Sequence, residues 1–127
     1  MVTSRDMIKL QILGFLHQRQ ERVRTGQEAY YYGQELIHDI RDFNLGVIYV
    51  GPNIIYPILN EWSEDKTALL ASWWEEEPYS KTRNRRFYRL TEKGEAYYTS
   101  LKNSMRDPLI DSIACLQRSF DTFYDQR

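Results

Sequence analysis

Apolar residues recur at intervals of three and four along several stretches of the chain, separated by short β-branched or aromatic runs. Ile8, Ile12, Leu13 and Leu16 predict a first helix through about His17, with Ser4 as its N-cap. The polar stretch 18–27 either extends this helix or forms a loop broken at Gly26. Leu36, Ile37, Ile40 and Phe43 share one face of a second helix over 33–43, and Asn44-Leu45-Gly46 is a stop signal. Val47-Ile48-Tyr49-Val50 is either a short strand pairing with a later hairpin or an extended connector packed on the core.

A third helix opens on Pro52, where a missing N–H costs nothing, and buries Ile55, Ile58, Leu59 and Trp62. Pro57 lies one turn further on and predicts a kink or a delayed start. Leu69-Leu70-Ala71-Ser72-Trp73-Trp74 and Arg85-Arg86-Phe87-Tyr88-Arg89-Leu90 read as two strands, joined by a polar turn over 75–84. Trp73 and Trp74 must face opposite sides of the first strand, and core packing is the expected fate of both. Thr91 is the N-cap of a helix carrying Tyr97, Tyr98 and Leu101, which Gly94 weakens only slightly. Asp107-Pro108 is expected to break or restart that helix. Leu109, Ile110, Ile113, Leu116, Phe120 and Phe123 or Tyr124 then form an apolar stripe in need of a partner.

Composition narrows the class. At 127 residues and 42% hydrophobic content the chain can bury a core as one domain without metal or disulfide support. Cys115 is the sole cysteine, so no internal disulfide forms, which fits a reducing cytoplasmic compartment. No segment reads as a signal peptide or approaches the roughly 20 apolar residues of a membrane span.

Catalysis finds little support. His17 and His38 lie on separate predicted helices without metal-ligand spacing, His17 as a surface or C-cap residue and His38 as an ordinary surface residue. No phosphate loop, nucleophile elbow or metalloprotease motif occurs, and no cofactor is expected.

Binding chemistry is better represented. The net charge of −1 is not that of a basic nucleic-acid-binding domain, but the charges are segregated. Lys81, Arg83, Arg85, Arg86, Arg89 and Lys93 crowd one block with a single acid, Glu92. Such a block can neutralise phosphates, although its arginines could also pair with Glu75-Glu76-Glu77 across the turn. Asn53, Tyr56 and Asn60 recur at three and four on the third helix, with amides and a phenol suited to base edges and phosphates. In the plainer reading, Asn53 caps the helix and Tyr56 is a core aromatic. Lys9, Arg22 and Arg24 are candidates for further backbone contacts.

A helix followed by a charged β-hairpin is the order of a winged helix-turn-helix, giving an α+β, mostly α fold. The chain resembles the PadR-like family of winged-helix transcriptional regulators. The resemblance rests on Ile12-Leu13-Gly14-Phe15-Leu16, Tyr32-Gly33-Gln34-Glu35-Leu36, Ile55-Tyr56-Pro57-Ile58-Leu59 and Arg86-Phe87-Tyr88-Arg89-Leu90-Thr91-Glu92-Lys93-Gly94. It covers residues 8–100. It implies a DNA-binding unit over 1–100 and a C-terminal dimerisation helix over 101–127 in the same compact unit. The implied protein is a homodimeric repressor that reads a pseudo-palindromic site on double-stranded DNA. Asn53, Tyr56 and Asn60 would enter the major groove, while Lys81, Arg83, Arg85 and Arg86 grip phosphates or the minor groove. The same fold used as a protein–protein module is the alternative. A small-molecule effector is compatible with the first reading, and no residue set names one.

Overall fold

The computed structural model describes residues 2–22, 30–76 and 84–125. Helix α1 (Ser4–Glu21) begins at the predicted cap itself, one residue earlier than expected. Thr3 rather than Ser4 is the N-cap, because its hydroxyl accepts from the Asp6 N–H while the Asp6 carboxylate accepts from the Thr3 N–H. Hydrogen bonding from the Thr3 backbone N–H, and in smaller part from the Thr3 side chain, holds the Asp6 carboxyl below its ordinary pKa. The polar segment after His17 continues the helix to Glu21. Residues 23–29, which include Arg24, lie outside the described part.

Strand β1 (Tyr31–Tyr32) leads directly into α2 (Gly33–Asn44), which stops at Leu45 in the left-handed conformation, φ 52°. Residues 47–50 form the connector and not a strand. Val47 and Tyr49 are exposed, Val50 is buried, and the Val50 carbonyl accepts from Arg41 Nε at 3.3 Å. The hairpin's additional partner is β1, a strand too short to produce a period.

Helix α3 (Pro52–Ser63) starts at Pro52 with Gly51 as its N-cap, so the delayed start does not occur and Pro57 sits inside the helix. Strands β2 (Leu70–Glu76) and β3 (Asn84–Leu90) are antiparallel, with β3 central in the order β1-β3-β2. The paired residues Leu70 and Leu90, Ser72 and Tyr88, and Trp74 and Arg86 face the helices. The pairs Trp73–Phe87 and Glu75–Arg85 face outward. The inner face is buried only at its base, where Leu70, Tyr88 and Leu90 join the core with Ile12, Leu13, Leu16, Leu36, Ile40, Ile55 and Leu59.

Neither tryptophan of the Trp73-Trp74 pair belongs to that core. Trp74 is 63% exposed, because the inner face outruns the helices at its position. Trp73 is half-buried on the outer face, stacked with Phe87 and edge-on to Tyr30.

Helix α4 (Glu92–Phe123) is continuous, and Pro108 lies inside it without the predicted break. Thr91 caps it as expected, accepting from the Gly94 N–H at 3.0 Å and donating to the Ala68 carbonyl at 2.6 Å. Gly94 is more than a weak helix residue. A Cβ there would lie 2.1 Å from the Leu69 carbonyl oxygen, so only glycine lets α4 start against the entry to β2. His17 Nδ1 meets Glu95 Oε2 at 2.7 Å, which ties α1 to α4 and replaces the expected surface role.

Two buried amides complete the frame. Gln11 and Asn44 exchange hydrogen bonds at 3.0 and 2.7 Å, fastening the end of α2 to α1. Gln20 pairs with both backbone groups of Leu90, as a neighbouring strand would.

Candidate nucleic-acid interface

The exposed ends of α3 and of the hairpin lie side by side, and the first turn of α2 closes the third side. The enclosed cleft has a volume of about 480 Å³ and is lined by Gln34, Tyr56, Asn60, Trp74, Arg85 and Arg86 among others. Four candidates named from sequence, Tyr56, Asn60, Arg85 and Arg86, therefore meet in one place although they are up to 30 residues apart. Asn53 is on the same helix, exposed one turn N-terminal to Tyr56. Lys81 and Arg83 lie outside the described residues.

Each side chain is held by a distinct local cause. Asn53 does not cap α3, whose N-cap is Gly51. Its Oδ1 accepts from the Tyr49 hydroxyl at 3.2 Å. Tyr56 is half-buried because α2 begins with a glycine. A Cβ on Gly33 would stand 2.7 Å from Tyr56 Cε1 and 2.8 Å from its hydroxyl. Burial pushes the Tyr56 phenol above its ordinary pKa, opposed in smaller part by hydrogen bonding with Gln34, so the hydroxyl stays protonated as a donor. Both plainer readings are thus informative: Asn53 is no cap, and Tyr56 is partly a packing residue.

Asn60 is exposed, and its Oδ1 accepts from Arg86 Nη1 at 3.1 Å. A guanidinium has no acceptor, so the assignment of oxygen and nitrogen in this amide is fixed by its partner. A two-pronged pairing of Asn60 with adenine would require that contact to open, whereas its Nδ2 can still donate.

The two arginines behave differently because they alternate across β3. Arg85 points outward, with its guanidinium 4.6 Å from the Tyr32 ring centroid. Arg86 points inward, where Nη2 and Nε donate to Ser72 Oγ at 2.9 and 3.3 Å. Tyr88, deeper on the same face, has its phenol pushed up by burial, with Arg86 opposing in smaller part. Arg89, near the end of β3, and Lys93, in the first turn of α4, are both exposed.

Sequence reasoning missed Ser72, Gln34 and Trp74 as members of this site. Trp74 was visible as an odd member of a strand pair, but Ser72 and Gln34 carry no signal in isolation. Among the described residues no group of three His, Cys, Asp or Glu side chains could hold a metal ion. No helix of the described residues is long and apolar enough to cross a membrane.

The model of the PadR-like family of transcriptional regulators matches residues 12–100. Among solved structures, a PadR-like transcription factor from Bacteroides fragilis is 20% identical, with a TM-score of 0.59 over 88% of this chain and 91% of that one. A Streptococcus transcriptional regulator is 19% identical, also with a TM-score of 0.59, over 88% and 93% of the two chains. The circadian clock associated protein Pex from Anabaena is 14% identical with a TM-score of 0.52, over 83% and 82%. These likenesses establish a shared fold. No curated protein sequence matches the chain.

Proposed function

Because the chain belongs to the PadR-like family of transcriptional regulators, which are DNA-binding proteins and not enzymes, we propose that it is a homodimeric repressor of a pseudo-palindromic DNA site. The observation that carries this reading is the convergence of α3 and the basic hairpin on one face, with Asn60 and Arg86 in direct contact. A helix presenting Asn53, Tyr56 and Asn60 suits a major groove, and Arg85 beside it suits a phosphate or the adjoining minor groove. Lys81 and Arg83 would extend that grip.

The dimer rests on a second observation. Ile113, Leu116 and Phe120 are exposed on α4 at helical spacing, with Leu116 71% exposed. An apolar groove of about 350 Å³ between α1 and α2, lined by Met7, Leu10, Phe15 and Phe43, is a surface of the same character. A second copy would cover both, making residues 101–127 the dimerisation helix and residues 1–100 the DNA-binding unit. Two-fold symmetry then presents two copies of α3 to half-sites about one helical turn apart.

Fluorescence anisotropy with duplexes selected by the protein from a random pool, over a salt series, tests the reading. We expect a selected duplex to bind far more tightly than random DNA, with affinity falling steeply as salt rises. Failure to enrich any duplex would move the function to protein–protein recognition on the same fold.

A further inference from the structure

We infer that Arg86 is a positioning residue and not a DNA contact, its guanidinium fixing the angle between the reading helix α3 and the hairpin. The inference rests on the DNA-binding reading above. Arg86 belongs to the basic block and stands on the side of the hairpin that faces α3. Charge alone would assign it to a phosphate, but three of its five N–H donors are already engaged within the protein. Nη1 donates to Asn60 on α3, and Nη2 and Nε share the Ser72 hydroxyl on β2. Its centre lies 5.8 Å from the Trp74 ring centroid and 5.4 Å from that of Tyr88. One planar group therefore joins α3, β2 and β3.

The arrangement needs arginine specifically. A planar fork can send donors in two directions while resting near aromatic rings. A lysine ammonium in the same place is a compact point charge that cannot span Asn60 and Ser72 in fixed directions. Neighbouring Arg85 provides the contrast, since it turns to the opposite face of the sheet. The two arginines thus divide the work: Arg85 is placed to meet DNA, and Arg86 sets where the hairpin and Asn60 stand. Productive recognition depends on holding contact groups within about half an ångström, and a contact between the two DNA-facing elements serves that end.

A salt series separates positioning from phosphate contact. A group that neutralises one phosphate contributes about 0.9 to the slope of log affinity against log salt, and a positioning group contributes nothing. We expect Arg86→Ala to weaken binding to a duplex selected by the wild-type protein on the order of tenfold, with the wild-type slope retained. Binding to random-sequence duplex should change little. Arg86→Lys should behave like Arg86→Ala despite keeping the charge. Ser72→Ala should weaken the selected duplex several-fold at unchanged slope, although Ser72 lies behind Arg86. Its effect should not add to that of Arg86→Ala.

Circular dichroism and the thermal midpoint establish that each variant is folded at the assay temperature. If Arg86→Ala is not, Arg86→Lys and Ser72→Ala decide. A slope reduced by about one in Arg86→Ala and restored in Arg86→Lys would overturn the inference in favour of a phosphate contact. A Ser72→Ala variant with wild-type affinity would overturn it as well. A wild-type protein that enriches no duplex would sink the DNA-binding reading itself, a result distinct from a wild-type binder whose Arg86 variants change slope.

Discussion

The two halves of α4 carry the same kind of apolar spacing and meet opposite fates. In the first half, Tyr97, Tyr98 and Leu101 pack on the core, Met105 is buried, and His17 bonds to Glu95. In the second half, Ile110, Ile113, Leu116, Phe120 and Phe123 stand in solvent. Periodicity therefore specifies a helix and a sticky face but not who covers that face. What differs is the neighbour. The first half lies beside α1 and the base of the sheet, whereas the second stands exposed among the described residues.

Substitutions in each half sharpen this contrast. The largest effect is expected at the root, where Gly94→Ala forces a Cβ into the Leu69 carbonyl oxygen, a backbone atom with little room to retreat. A destabilisation of about 3 kcal/mol is expected, read as a lowered denaturant midpoint, and wild-type stability would show that α4 can start elsewhere. In the far half, Phe120→Asp should leave the fold of each subunit intact while costing association about 2 kcal/mol or more. Sedimentation equilibrium would then show monomers where the parent shows dimers. An unchanged dimer would place the subunit contact on another surface.

The smallest effect is in alkaline solution and belongs to the packed part. Burial pushes the phenols of Tyr31, Tyr56, Tyr88 and Tyr98 up, so each ionises more readily in the unfolded chain than in the folded one. The stability these groups contribute is complete below pH ~10 and is lost as pH rises through their raised values. Urea midpoints should fall above pH ~10, with tyrosinate absorbance rising together with unfolding. Full ionisation of all tyrosines ahead of unfolding would contradict their burial.

Much of the fold was legible because it is written locally. The periods of α1, α2 and α3, the hairpin strands and the Thr91 cap each occupy a short window in which spacing and caps agree. The failures share a cause. Tyr31–Tyr32 is a strand only because β3 lies alongside, and two residues cannot display alternation. Pro108 was read as a break because a proline removes a helical hydrogen bond, yet α4 runs through it. Gly94 was undervalued because its neighbour, Leu69, is 25 positions away.

The candidate site followed the same rule. Asn53, Tyr56, Asn60, Arg85 and Arg86 were each nameable from residue type and spacing. The contact of Arg86 with Asn60 joins residues 26 apart and has no local signature. Only the register of β2 on β3 turns one arginine of the adjacent pair toward α3 and the other away.

Pro108 carries a consequence of its own. It has no N–H to offer the carbonyl four residues earlier, so the helical ladder is missing a rung midway along α4. Cooperative winding inherited from the anchored first half is weakened at that rung. The turns beyond it draw their order from whatever lies against them. Under the proposed dimer, a second subunit laid against them would make them a rigid rod, and without one they would be the first turns to fray. The helix content of the distal end of α4 would then report how many copies of the chain are near.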